Sequence, residues 1–163
     1  MITFIAPWDQ LWIIQNIKDR LPHNLSDKVK AISYHDLRRI GSFEPGAVIF
    51  TGLGVITNQQ RGAGTEVYKQ IFEKSDSISL LNHPEKSLRR LELIRKLHKT
   101  GINNFLAYKT DEYPSASVTY PVFVRETRRH SGSLSDLIGS PDKLEEAIKN
   151  LKKSGYPSDD LLI

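Results

Sequence analysis

Four short apolar runs punctuate the first half of the sequence, and their length leaves few folds open to it. They are Ile2–Ala6, Lys30–Tyr34, Ala47–Thr51 and Ser77–Leu81, each bounded by polar or turn-forming residues. Apolar runs of this length are typical of buried strands and are short for helices. Apolar residues at helical spacing follow the first run and precede the fourth. The order β, α, β, β, α, β predicts an α/β lobe built around a buried sheet.

Two helices complete the predicted lobe. Apolar residues recur at helical spacing from Trp8 onward, and this first helix is expected to end before Pro22, which cannot continue it. The second helix is expected to begin after Thr65, whose hydroxyl suits a helix cap, and to run to about Lys74. Two glycines just before Thr65 favour a loop there.

Glycines also follow the third apolar run, in the segment Thr51–Thr57. The segment resembles a dinucleotide-binding fingerprint but lacks its third glycine and the acidic residue that ends the next strand. One interpretation is that Gly52 and Gly54 line a crevice at the carboxyl end of the sheet, where open α/β folds bind ligands. The other is a plain turn between a strand and a helix.

A boundary is predicted at Pro84, which has no N–H and biases the residue before it away from helix. From Glu85 to Thr100 the sequence has an apolar stripe with cations on the other faces. This pattern predicts a helix that Gly101 ends as its C′ residue. The chain is therefore expected to form two units, residues 1–82 and 83–163.

The second unit is expected to mix strands and helices. Asn104–Thr110 and Thr119–Glu126 predict an antiparallel hairpin. The apolar end, Leu161–Ile163, reads as a strand cut off in mid-course, with an edge exposed to pairing. Two helices are expected between the hairpin and this last strand: a short one capped by Ser133 and a longer one from Pro141 to Gly155.

A strand followed by a cationic loop marks the candidate site. The period of two in Tyr120–Arg125 puts Val122 and Val124 on one face and Arg125 on the other. Arginines, a glycine and small hydroxyls then follow, which allows guanidinium and backbone N–H groups to converge on an anion. A solvated hairpin tip is the alternative. The loop residues concerned are Arg128, Arg129, His130, Ser131, Gly132 and Ser133.

The order of these elements over residues 82–163 resembles the first half of an ATP-grasp domain. In that family one cation lies near the start of a helix that ends in Gly-Ile, a place that Arg90 takes before Gly101-Ile102. A second cation lies on a following strand, a place that Arg125 takes, and a glycine-containing loop covers the nucleotide phosphates. Both cations are arginine here, where lysine is usual. The preceding α/β unit resembles the small Rossmann-like lobe, the pre-ATP-grasp domain, of the same family.

The resemblance implies a function for the chain. Relatives in this family are ATP-dependent carboxylate–amine ligases that act through an acylphosphate, so the implied ligands are ATP, Mg²⁺ and an unknown small-molecule substrate. The Mg²⁺ ligands and the adenine hinge are expected outside this sequence. We therefore expect these residues to bind nucleotide without turning it over. The alternative is a non-catalytic α/β module that binds an anion or another protein.

Composition limits the other classes of function. The net charge is +4, but 23 basic residues are interleaved with 19 acidic ones, which argues against a nucleic-acid-binding surface. There are no cysteines, and no segment predicts a membrane span or a signal peptide, so we expect a cytoplasmic protein. The five histidines lack metal-site spacing, and no catalytic set is complete.

Overall fold

The computed structural model describes residues 1–113, 118–128 and 132–163. The chain divides into two units, Met1–Leu88 and Arg89–Ile163, and each has its own apolar core. Each unit combines helices with strands, so the predicted α/β class is confirmed at that level. Within the described ranges, no helix has both the length and the apolar character needed to cross a membrane.

A parallel sheet of four strands forms the centre of the first unit. Its strands are β1 (Ile2–Ala6), β2 (Val29–Ser33), β3 (Gly46–Phe50) and β4 (Ile78–Leu81). Their spatial order is β2-β1-β3-β4, and every neighbouring pair is parallel. Parallel strands are covered on both faces and therefore read as nearly continuous apolar runs. All four predicted strands are confirmed to within about one residue at each end.

Helices cover both faces of this sheet. The first unit contains α1 (Leu11–Arg20), the single-turn α2 (His23–Ser26) and α3 (Asn58–Lys74). Ile14 of α1 packs with residues of β1 and β2, whereas Ile71 of α3 packs in a different cluster with residues of β1 and β3. Neighbouring β1 residues enter the two clusters, and successive strand residues point to opposite faces. The clusters therefore lie on opposite sides of the sheet.

The start of α3 differs from the prediction. The helix is capped by Thr57, not by Thr65. The Gln60 N–H donates to the Thr57 hydroxyl at 3.1 Å, and the Gln60 side chain accepts the Thr57 N–H at 2.9 Å. This reciprocal capping box outweighs the low helix propensity of the glycines in the first turns. Gly64 also has a packing role, since an added Cβ would lie 3.1 Å from the Tyr34 ring.

Among the residues that the structure describes, the second unit contains two short strands and two α-helices. They are α4 (Arg90–Lys99), β5 (Arg125–Glu126), α5 (Pro141–Lys153) and β6 (Leu161–Leu162). The predicted helix from Pro141 is confirmed as α5, which has an apolar stripe on its buried face. The buried residues of the main core in this unit are Val124, Ile138, Leu144, Ile148 and Leu161.

α4 is shorter than predicted at its N-terminus. It begins at Arg90 rather than Glu85, because the Glu92 carboxylate accepts the Arg89 N–H at 2.8 Å and so caps the helix at that point. An acidic side chain in the first turn also suits the helix dipole. The predicted stop is confirmed, since Gly101 has a left-handed φ of 72°.

The predicted hairpin is wrong, because β6 lies between its two arms. The Tyr108 and Ile163 backbones exchange two hydrogen bonds, of 3.1 and 2.9 Å, while on the other side β6 pairs antiparallel with β5. Leu161 and Leu162 are 0% and 1% exposed. The expected exposed edge is therefore also wrong. Turn-forming residues predict that a chain reverses, but they do not specify which strand becomes its neighbour.

The short helix expected after Ser133 is also absent from the described residues. The Leu134 N–H donates to the Val124 carbonyl at 2.7 Å, and the Val122 and Ile138 backbones exchange hydrogen bonds of 2.9 and 2.6 Å. Residues 134–138 therefore run antiparallel beside the chain that leads into β5. Leu134 and Ile138 pack in the core of the unit, and so short a segment forms an isolated helical turn less readily than it pairs with a neighbouring strand.

Candidate functional site

Arg90 and Arg125 lie close together in the second unit. Arg90 is the first residue of α4, and its Nη1 donates to the Glu126 carbonyl at 2.9 Å. This bond ties the first turn of α4 to β5, which contains Arg125. Partial burial, and then the positive charge of Arg125, hold the pKa of Arg90 below its ordinary value. The two guanidinium groups are therefore within electrostatic reach of each other.

The strand pattern explains the position of Arg125. Val124 is fully buried in the core of the unit, so the alternation along the strand turns the next residue toward another face. Arg125 is half-buried, and its Nε has no hydrogen-bond partner among the described residues. Two half-buried guanidinium groups create a local positive potential that favours an oxyanion.

Arg128 has a different environment. Its Nε lies 3.6 Å from Oδ1 of Asp160, and both side chains are partly exposed. The Thr127 N–H donates to the Asp160 carbonyl at 2.8 Å, so the strand pairing brings this carboxylate to the start of the loop. Asp160 is half-buried beside Arg128 because β6 lies next to β5.

The rest of the predicted loop is described in part. Arg129, His130 and Ser131 lie outside the described residues. Gly132 has a left-handed φ of 88°, with open space where a Cβ would be, and Ser133 is exposed. The predicted site residues whose positions the structure gives are therefore Arg90, Arg125, Arg128, Gly132 and Ser133.

A second concave surface lies in the first unit, at the carboxyl ends of β3 and β4. Gly52 and Gly54 line it, together with residues that follow β4. The interpretation of these glycines as part of a crevice therefore fits the structure. They also form the turn from β3 toward α3, so the two interpretations are compatible.

No metal site is evident in the part of the chain that the structure describes, where no group of three or more histidine or acidic side chains could hold an ion. Comparison of the chain with known protein families, with characterised proteins and with solved structures found no match.

Proposed function

We propose that Arg90 and Arg125 bind the phosphate groups of ATP, and that the chain is the nucleotide-binding portion of an ATP-grasp-like protein. In this proposal residues 1–82 are the Rossmann-like lobe that precedes such a domain, and residues 83–163 are its first subdomain. The observation that carries the proposal is the placement of two arginines: Arg90 in the first turn of α4 donates to the Glu126 carbonyl at 2.9 Å, and Arg125 is the residue before Glu126 in β5.

Like charges brought together in a partly desolvated place disfavour each other, and a bound oxyanion relieves this repulsion. Guanidinium groups suit phosphate particularly well, because their planar N–H groups can donate in pairs. The bond from Arg90 to the Glu126 carbonyl fixes that guanidinium before a ligand arrives. Preorganisation of this kind lowers the entropy that binding must overcome.

The proposal extends to ATP binding and no further along the reaction. Phosphoryl transfer needs divalent metal as well as cations on the phosphates. Arg90 and Arg125 are suited to the phosphates, whereas Mg²⁺ and its acidic ligands are expected from outside this sequence. The acylphosphate chemistry of the family's ligases is therefore not attributed to these residues alone.

The test is calorimetric titration of ATP and of pyrophosphate, each with magnesium, into the wild type and Arg125→Ala. Loss of one charge-assisted contact costs about 1.5 to 3 kcal/mol, which corresponds to a loss of about 10- to 150-fold in affinity. The matched control is Arg95→Ala. Arg95 is also on α4, is half-exposed, and pairs with Glu112 at 3.6 Å. This control should bind like the wild type.

Equal affinity in the wild type and Arg125→Ala would remove Arg125 from the site and contradict the proposal. Arg125→Lys, which keeps the charge, guards against a folding defect, and circular dichroism checks each variant. The wild type should release no more phosphate from ATP than the double variant Arg90→Ala/Arg125→Ala does. If pyrophosphate and ATP bind equally, the adenosine is not recognised, and the non-catalytic anion-binding module is favoured.

A further inference from the structure

The cleft in the first unit, at the carboxyl ends of β3 and β4, has features of its own that point to a ligand. It has a volume of about 540 Å³ and is formed by the loops that follow β3 and β4. This volume is in the range of pockets that hold small molecules. In open α/β sheets the crevice at the carboxyl ends of the strands is also the usual place for a ligand. The residues that line the cleft include Thr51, Gly52, Gly54, Asn82, His83 and Lys86.

The backbone around the cleft is held in an uncommon shape. Gly52 has φ of 65°, and a Cβ there would lie 2.4 Å from Cγ of Pro7. Asn82 has φ of 61°, and its Nδ2 donates to the Phe50 carbonyl at 3.2 Å. The left-handed conformation is uncommon for residues other than glycine, although asparagine adopts it more readily than most. Such a conformation persists only where surrounding contacts stabilise it. The ends of both loops are thus fixed before any ligand binds.

Arg61 of α3 joins the two loops. Its Nη1 donates to the Ser87 carbonyl at 3.0 Å, and its Nη2 donates to the Leu53 carbonyl at 3.1 Å. Beneath them the Tyr34 hydroxyl donates to the Thr51 carbonyl at 3.0 Å. Burial raises the pKa of Tyr34, and the positive charge of Arg61 opposes that rise. A fixed guanidinium therefore adds positive potential behind the cleft.

His83 and Lys86 bring donors to the cleft. The Glu85 N–H donates to Nδ1 of His83 at 3.1 Å. The proton of the neutral ring therefore lies on Nε2, which becomes a donor. The imidazole also packs against the Tyr68 ring at 4.2 Å between centroids, which holds its orientation. Of the described residues that line the cleft, none is acidic, and Lys86 adds a positive charge.

We propose that this cleft binds a small molecule through an oxyanion, a carboxylate or a phosphate group, with Lys86 and His83 as its donors. The N-terminus of α3 follows the loop after β3, and its dipole favours the same charge. The proposal is independent of nucleotide binding by Arg90 and Arg125. Either one can fail while the other holds.

The experiment follows the backbone amide resonances of the full chain by NMR during separate titrations with inorganic phosphate and with citrate. Each anion is added up to about 10 mM, which is ten times a Kd of about 1 mM and would nearly saturate such a site. The amides of Gly52 and Gly54 should shift with at least one anion. Lys86→Met should weaken that binding about tenfold. Lys74→Met is the matched control, because Lys74 lies at the other end of α3, and it should bind like the wild type. Arg125→Ala should also keep this binding, which separates the two proposals.

His83→Gln supplies a second variant and keeps a side-chain donor, so its affinity should fall less than that of His83→Ala. A response to phosphate alone, to citrate alone or to both assigns the oxyanion class. The proposal is overturned if neither anion shifts Gly52 and Gly54, or if Lys86→Met and Lys74→Met bind with equal affinity. In the latter case the shifts would come from general surface charge.

Discussion

Gly52→Ala tests whether the loop after β3 is as tightly constrained as its geometry implies. Gly52 has φ of 65°, a left-handed conformation that residues with a Cβ disfavour. An ideal Cβ would lie 2.4 and 2.5 Å from Cγ and Cδ of Pro7, and 3.0 Å from Oε1 of Gln10. The proline ring directly follows β1 and has little freedom to move aside. The added methyl group is thus opposed both by the backbone and by a neighbour.

Two costs add in this variant. The left-handed conformation costs about 1 to 2 kcal/mol for a residue with a Cβ. Forcing an extra methyl group into a packed place costs about 1 to 3 kcal/mol. We therefore expect Gly52→Ala to lower the free energy of unfolding of the first unit by about 2 to 5 kcal/mol. Gly54→Ala is the matched control, since its Cβ would meet open space and its φ is not left-handed. It should change that free energy by less than about 1 kcal/mol.

The assay is urea unfolding followed by the NMR signals of the backbone amides of β1 and β3. Both strands belong to the first unit, so these signals report on that unit and not on the second. The midpoint of Gly52→Ala should fall well below those of the wild type and Gly54→Ala. If Gly52→Ala stays within about 0.5 kcal/mol of the wild type, the loop accommodates the methyl group and the steric argument fails.

Two further stability predictions follow from corrected elements. Leu161 is fully buried in the second unit, so Leu161→Ala should lower the free energy of unfolding by about 2 to 5 kcal/mol. The control Leu137→Ala changes a side chain that is 67% exposed and should lower it by less than about 0.5 kcal/mol. Equal thermal midpoints of the two variants in calorimetry would contradict the placement of β6. Thr57→Ala removes the cap of α3 and should lower the free energy of unfolding by about 1 kcal/mol in the same urea assay. Thr65→Ala should lower it by less; the opposite order would mean that the helix begins at Thr65, as the sequence first indicated.

The first unit was largely predictable because the central strands of its sheet, β1 and β3, are mostly covered on both faces. An apolar run of strand length then has few alternatives, and the elements follow one another along the chain. The start of α3 was missed because glycine suggests a loop, whereas the reciprocal bonds of Thr57 and Gln60 decide where the helix begins. That signal was in the sequence as a threonine followed three residues later by glutamine.

The second unit was less predictable because its pairings are distant in sequence. β6 pairs with β5 and bridges to Lys109 on its other side. The period of two predicts which face a residue takes, but not which strand lies beside it. Asp160 was missed as the partner of Arg128 for the same reason. Its position depends on β6, and no local pattern near Arg128 indicates it.

The environments of the arginines explain why the candidate site differs from an ordinary basic surface. Arg39, Arg95 and Arg128 each lie within 3.6 Å of a carboxylate oxygen, so their charges are locally balanced. The pKa of Arg90 is lowered by its partial burial and, to a smaller extent, by the charge of Arg125. An arrangement that brings like charges together reduces stability, and such departures from the rules of folding concentrate at functional sites. A net charge of +4 says little about binding, whereas the placement of two mutually repelling guanidinium groups is a specific reason to expect an anionic ligand there.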